Sequence, residues 1–201
     1  MVTVTECMTL GKGRLRFHLD NGTELVLYRG EAKQFRMREG STLSDEEEHQ
    51  LIYEVVGKRA KRRTMHLLEQ MDRTEQQLRE KLKQGGYPQA CIDLALEYVK
   101  SFHYVDDYRY ACTYINYRQD RMSRYQLKVK LYGKGVPGEL IDRALEECYE
   151  GDEQDQIIRL LEKKKFDAQN SDPKEFTRVY QYLMRRGFRS NDVLRAMKSK
   201  Q

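Results

Sequence analysis

Tryptophan is absent, proline occurs three times, and the four cysteines form no CxxC pair. So little proline leaves long stretches free to be helical, and Leu, Glu, Lys, Arg and Gln are abundant. Cys7, Cys91, Cys112 and Cys148 stand far apart, as do His18, His49, His66 and His103. That scatter excludes a zinc-type ligand spacing and a disulfide framework, and it fits a reducing compartment. No apolar run approaches the ~20 residues of a membrane span, and no signal segment is evident, so a cytoplasmic protein without membrane contact is expected.

Catalytic signatures are missing as well. Gly11-Lys12-Gly13 and Gly133-Lys134-Gly135 hold the residue types of a phosphate loop but neither its spacing nor its strand-to-helix setting. They read as a hairpin turn and a helix end. Asp106-Asp107 has no third acid or histidine at helical spacing, so helix capping is the simpler role. No Ser/His/Asp or Cys/His arrangement stands out. The expectation is a non-enzyme that takes no cofactor and no metal.

What the chain does have is charge and periodicity. Charged residues make up 34% of the 201 positions, apolar ones 39%, and the net charge is +5. Residues 1–57 carry 7 Lys/Arg against 10 Asp/Glu, and residues 58–201 carry 30 against 22. A polyanionic partner would therefore face the later part of the chain. A solvated helix surface with a mild basic excess explains the same figures.

The first thirty residues read as β-structure. Val2-Thr3-Val4-Thr5 is β-branched, and Leu15, Phe17 and Leu19 alternate with Arg16 and His18. Asp20-Asn21-Gly22 is a tight-turn signal that leads into a returning strand at Leu25 to Tyr28. Three short antiparallel strands need a helix over one face, which Glu31 to Met37 is placed to supply. Ser44-Asp45-Glu46-Glu47 is a capping box that opens a helix with Leu51, Ile52, Val55 and Val56 as its apolar stripe. Its acids suit the helix N-terminus better than a metal.

From about residue 58 the chain repeats three times, with Gly86, Gly135 and Gly187 as anchors spaced 49 and 52 residues apart. Four residues before each glycine stands Leu82, Leu131 or Leu183, and eight before stands Leu78, Leu127 or Val179. An apolar residue follows at once (Tyr87, Val136, Phe188). Six, nine and ten residues on come Ile92, Ala95 and Leu96; Ile141, Ala144 and Leu145; and Val193, Ala196 and Met197. Each unit has room for three helices. The glycine ends the middle helix in the left-handed conformation, and the alanine lets two helices approach. Thr74-x-x-Gln77 and Ser123-x-x-Gln126 are capping boxes, and Asp172-Pro173 starts the third copy's middle helix a turn earlier. Pro88 and Pro137 are expected in a first helical turn, and Ser190 is expected to cap the last helix. The fold class is mainly α: three tandem three-helix repeats in an elongated curved array behind a small β-hairpin/helix extension. The boundaries are 1–57, 58–105, 106–150 and 151–201.

These units resemble the RecX family of recombination regulators. The likeness is carried by residues 68–87, by Tyr104-Val105-Asp106-Asp107-Tyr108-Arg109-Tyr110-Ala111, by Leu131-Tyr132-Gly133-Lys134-Gly135-Val136, and by Leu183-Met184-Arg185-Arg186-Gly187-Phe188. It covers about residues 58–199. The departures are small: Gly85-Gly86 stands where a basic residue and a glycine are usual, and Val136-Pro137 where an isoleucine leads. The resemblance implies tandem three-helix repeats that bind the RecA recombinase. It further implies binding along the filament groove on single-stranded DNA and suppression of recombinase, ATPase and coprotease activity in DNA repair and the SOS response. A monomer is expected.

The candidate contact residues are basic side chains interleaved with aromatics. Arg118, Arg121, Arg124, Lys128 and Lys130 span the linker and second helix of the second repeat, among Tyr114, Tyr117, Tyr125 and Tyr132. Lys134 follows, and Arg185, Arg186 and Arg189 surround the last anchor glycine. Lys163-Lys164-Lys165 and Arg59-Lys61-Arg62-Arg63 are further basic groups. Such groups suit an anionic protein surface or a single strand. Ordinary pairing of cations with helix C-termini accounts for them equally. The alternative function is a direct nucleic-acid binder of helix-turn-helix type. The excess charge is spread over the three repeats as +4, +1 and +3 rather than concentrated on one recognition helix.

Overall fold

The structure, a computed structural model, describes residues 1–199. The chain divides into two compact units, Met1–Asp106 and Asp107–Gln201. Lys200 and Gln201, at the end of the expected third repeat, lie outside the described residues.

In the first unit, β1 (Val2–Gly11), β2 (Arg14–Leu19), β3 (Glu24–Tyr28) and β4 (Thr42–Leu43) form an antiparallel sheet in the order β3-β2-β1-β4. Side-chain alternation sends Val2, Val4, Phe17, Leu19, Leu25 and Leu27 to one face, where all are buried. Gly11, Lys12 and Gly13 all take positive φ in the first turn, and Gly22 does so in the second. Two features differ from the sequence reading. β1 runs on to Gly11, and β4 is an added edge that is too short to show alternation. Helix α1 (Arg29–Gln34) also stops short of Met37. Arg36 turns left-handed at φ 52°, and the Met37 amide reaches back to the Ala32 carbonyl at 2.8 Å. Phe35 and Met37 are thereby folded into the core.

Ser44 caps α2 (Asp45–His49) as expected: its hydroxyl accepts from Glu47 N at 3.1 Å, and the Glu47 carboxylate accepts from Ser44 N at 2.9 Å. Those bonds hold the Glu47 carboxyl below its usual range. The helix runs on through a π-helical stretch, Gln50–Gly57, into α3 (Lys58–Gln70). The 57/58 boundary thus falls inside one continuous helix, and sheet and first repeat share a core that includes Phe17, Leu25, Leu51, Leu78 and Leu96. The wide turn packs against the later segment Gln89–Ser101. A Cβ on Gly57 would stand 2.8 Å from Leu94 Cδ2, and the Cys91 thiol donates to the Ile52 carbonyl at 3.2 Å.

The first repeat is completed by α4 (Glu75–Gln84) and α5 (Gln89–Ser101). The second unit contains α6 (Asp107–Arg118), α7 (Arg124–Tyr132) and α8 (Gly138–Cys148), then α9 (Glu153–Lys163), α10 (Pro173–Arg185) and α11 (Ser190–Ser199). Each triplet in this unit has its own apolar cluster. The anchors Gly86, Gly135 and Gly187 have φ of 76°, 81° and 78°. The apolar offsets are buried in all three copies except Tyr87, which is half-buried. Pro88 and Pro137 stand at the cap just before their helices rather than inside the first turn. Ser190 is already helical, and its hydroxyl meets the Tyr180 hydroxyl at 2.9 Å instead of capping α11.

Candidate partner-binding surface

The second and third repeats join through the N-terminus of α7. Ser123 is fully buried and caps that helix by accepting from Gln126 N at 3.2 Å. The same hydroxyl donates to the Arg186 carbonyl at 2.8 Å. Gln126 does not close a reciprocal box as Gln77 does with Thr74; its amide donates to the Arg185 carbonyl at 2.7 Å. The Arg186 guanidinium returns a bond to the Arg121 carbonyl at 3.1 Å and lies 4.7 Å from the Tyr182 ring centroid. Two helix ends thus satisfy each other's orphan polar groups.

This joint sorts the candidate cations. Arg186 is half-buried and holds the two repeats together, while Arg185 and Arg189 are exposed beside it. Arg118 ends α6 with its guanidinium 5.8 Å from the Tyr114 centroid and 5.4 Å from that of Tyr117. Lys134 lies over Tyr110 and Tyr114, at 5.9 and 5.3 Å, and those two rings stack. Arg124 sits over Tyr149 at 5.9 Å, and its backbone amide donates to Glu153. Lys128 is ion-paired to Asp142 across the α7–α8 contact. Arg121 and Lys130 are exposed. The expected cluster is therefore two sets: Arg118 and Lys134 on a tyrosine ladder along α6, and Arg124, Lys128 and Lys130 around α7.

One feature of α7 is not legible in the sequence. Leu127 and Leu131 face the core, yet Tyr125, Val129 and Tyr132 remain 65%, 49% and 64% exposed. Their spacing of four and three puts them on one outward ridge. The helix is apolar on two faces, and the second of them stays largely exposed. The tyrosines were visible in the sequence as aromatics among cations. Val129 makes the ridge continuous and gave no separate signal.

Among the described residues no group of three or more His, Cys, Asp or Glu side chains is arranged to hold a metal ion. Asp107 is the first residue of α6, with Asp106 just ahead of it. No helix of the described residues is long and apolar enough to cross a membrane.

Fold and surface together define a class: a tandem three-helix repeat protein that presents tyrosine–cation ladders and an apolar ridge. Family models for the first, second and third three-helix domains of RecX match residues 60–98, 106–145 and 151–197. The regulatory protein RecX of Trichlorobacter lovleyi is 36% identical over 138 residues, which cover 66% of this chain and 89% of that one. That of Geobacillus kaustophilus is 33% identical over 159 residues, covering 77% of this chain but 59% of the relative's length. A crystal structure of regulatory protein RecX superposes with a TM-score of 0.62 at 21% identity, covering 96% of this chain and 97% of that one. RecX from Lactobacillus salivarius gives 0.62 at 16% identity over 72% of this chain and 96% of its own. At those identities the structural likeness speaks for the fold alone. The chain belongs to the RecX family of regulatory proteins.

Proposed function

We propose that this chain is a cytoplasmic, monomeric regulator that binds the RecA recombinase filament on single-stranded DNA. In this reading it lowers the filament's recombinase, ATPase and coprotease activities in DNA repair and the SOS response, and it carries out no reaction of its own. The observation that carries the reading is the Tyr125–Val129–Tyr132 ridge, in a chain of this family. Large apolar side chains left exposed on one helix face, ringed by Arg124, Lys128 and Lys130, have the make-up of a protein-binding hot spot with a charged rim. A sequence-reading helix would offer polar groups to base edges instead.

The test measures DNA-dependent ATP hydrolysis by RecA with wild-type chain and with Tyr125→Ala/Tyr132→Ala. Loss of both anchors is expected to weaken inhibition at least about tenfold, since each hot-spot aromatic contributes about 1–2 kcal/mol or more. Charge reversal at Arg121, Arg124 and Lys128 is expected to weaken it further and to flatten its salt dependence. Equal affinity for bare and recombinase-coated strands would sink the proposal in favour of direct nucleic-acid binding.

A further inference from the structure

The N-terminal sheet and the first repeat enclose a second basic feature, separate from α7. Arg14 of β2, Arg59 and Arg63 of α3, and Tyr28 and Tyr87 line a cavity of about 270 Å3. Arg59 is already committed. It forms an ion pair with Glu31, donates to the Val26 carbonyl, and lies between the Tyr28 and Tyr87 rings at 5.0 and 5.5 Å from their centroids. Arg14 and Arg63 have no ion-pair or hydrogen-bond partner for their guanidinium groups among the described residues. Three guanidinium groups against one carboxylate leave an uncompensated positive charge around a solvent-accessible recess. The planar forks of two arginines are matched in shape and charge by a phosphate.

The other repeats show why the space is open. The residue before the anchor glycine is Lys134 in the second repeat and Arg186 in the third, each stacked on tyrosine. The first repeat has Gly85 there. A Cβ on Gly85 would stand 3.0 Å from Tyr87 Cε2, so a side chain at this position would push on the cavity wall. Burial pushes the Tyr87 phenol upward, which keeps it a hydroxyl donor. Tyr28 stays half exposed beside the cavity, an aromatic surface next to a charge-binding site.

We propose that this cavity binds a nucleotide phosphate between Arg14 and Arg63, with Tyr28 available to stack on the base. A free nucleoside phosphate and a single strand supply the same chemistry. Two probes separate them: fluorescent ATP and a fluorescent oligothymidylate, each titrated with the full chain and followed by anisotropy. At least one is expected to bind, to be competed by pyrophosphate, and to lose about tenfold or more in affinity in Arg14→Gln/Arg63→Gln, the loss expected for charge-assisted hydrogen bonds worth about 1.5 kcal/mol or more. Gly85→Lys, which supplies a tethered cation in place of the ligand, is expected to weaken the same probe. Arg62→Gln, beside the cavity but outside its lining, is expected to change little. Melting temperatures within a degree or two of wild type establish that the variants are folded. If neither probe binds, or if the double variant binds as wild type does, the site is not a phosphate site. Neither probe contains recombinase, so that failure would leave the filament reading untouched.

Discussion

The turn at Gly86 in the first unit and the turn at Gly187 in the second are built alike and docked differently. Both glycines are left-handed, both follow a buried leucine by four residues, and both precede an aromatic. The Gly86 carbonyl accepts from Val26 N at 3.2 Å, so this turn rests on the backbone of edge strand β3. The turn at Gly187 instead rests on side chains, since Ser123 and Gln126 of the preceding repeat donate to Arg186 and Arg185. In the first unit the sheet takes the place that a preceding repeat takes in the second. A repeat array needs a different surface at its end, and an open sheet edge needs a cover. One contact meets both needs, which is why Val26 is buried although it faces away from the sheet's core side.

The comparison breaks most visibly at the glycines. A Cβ on Gly86 would overlap Val26 Cγ2, a stiff β-branched side chain in a paired strand. On Gly187 it would meet Ser123 Oγ at 2.9 Å, Tyr125 Cδ1 at 2.9 Å and Gln126 Cγ at 3.0 Å, of which two belong to longer side chains that can shift. Left-handed backbone costs an alanine about 1–2 kcal/mol at either site, and overpacking adds about 1–3 kcal/mol. Gly86→Ala is therefore expected to destabilise by about 3–4 kcal/mol and Gly187→Ala by about 2 kcal/mol in urea melts. Adding Val26→Ala should recover part of the first loss and none of the second. Equal losses with no recovery would mean that backbone strain alone decides both.

A smaller effect sharpens the docking by side chains. Asp172 caps α10 with one described bond, to Glu175 N at 2.6 Å, from an exposed position. Ser123 does the same for α7 while buried and also satisfies a carbonyl of the next repeat. Asp172→Ala should cost about 1 kcal/mol, the usual price of a lost cap. Ser123→Ala should cost about 2 kcal/mol, because the Arg186 carbonyl is left without that donor. Hydrogen exchange should accelerate at Gln126 N in that variant. Equal costs would mean that water replaces the hydroxyl and that the joint is held by apolar packing.

What the sequence made legible follows from range. Caps at Ser44, Thr74, Ser123 and Asp172 and the three glycine stops depend on residues within four positions of each other, and all were readable. The buried offsets were readable because one repeat checks another. Pairings across elements were not: Lys128 meets Asp142, Gln126 turns to Arg185, and Arg14 of the hairpin comes to Arg63 of α3. Each depends on packing between segments whose spacing carries no period. β4 was hidden for a different reason, since two residues cannot display alternation. The candidate cations were found as types but not as a surface. Arg186 and Lys128 are already engaged within the second unit, and the ridge on α7 needed burial to reveal which tyrosines are half-core and which are free.

A pH-dependent effect distinguishes two of the four thiols, Cys91 in the first unit and Cys148 in the second. Cys91 on α5 is fully buried against the Ile52 carbonyl, and burial pushes its thiol up to about 12. Cys148 on α8 is half-buried, and burial, with a hydrogen bond to Cys112, pushes it up to about 11. A thiol raised in the folded state adds stability that is fully present below the unfolded value near 9 and is lost as pH climbs through the folded one. Between pH 8 and 10.5 the buried Cys91 contributes a loss of about 2 kcal/mol at most. Cys91→Ala should start less stable and decline less over that range. Iodoacetamide should therefore label Cys148 before Cys91, because Cys91 is fully buried and Cys148 is only half-buried. Labelling of Cys91 at the rate of Cys148 would mean that α5 lifts from the π-helical stretch faster than the repeats open, and that the sheet-backed unit is the looser of the two.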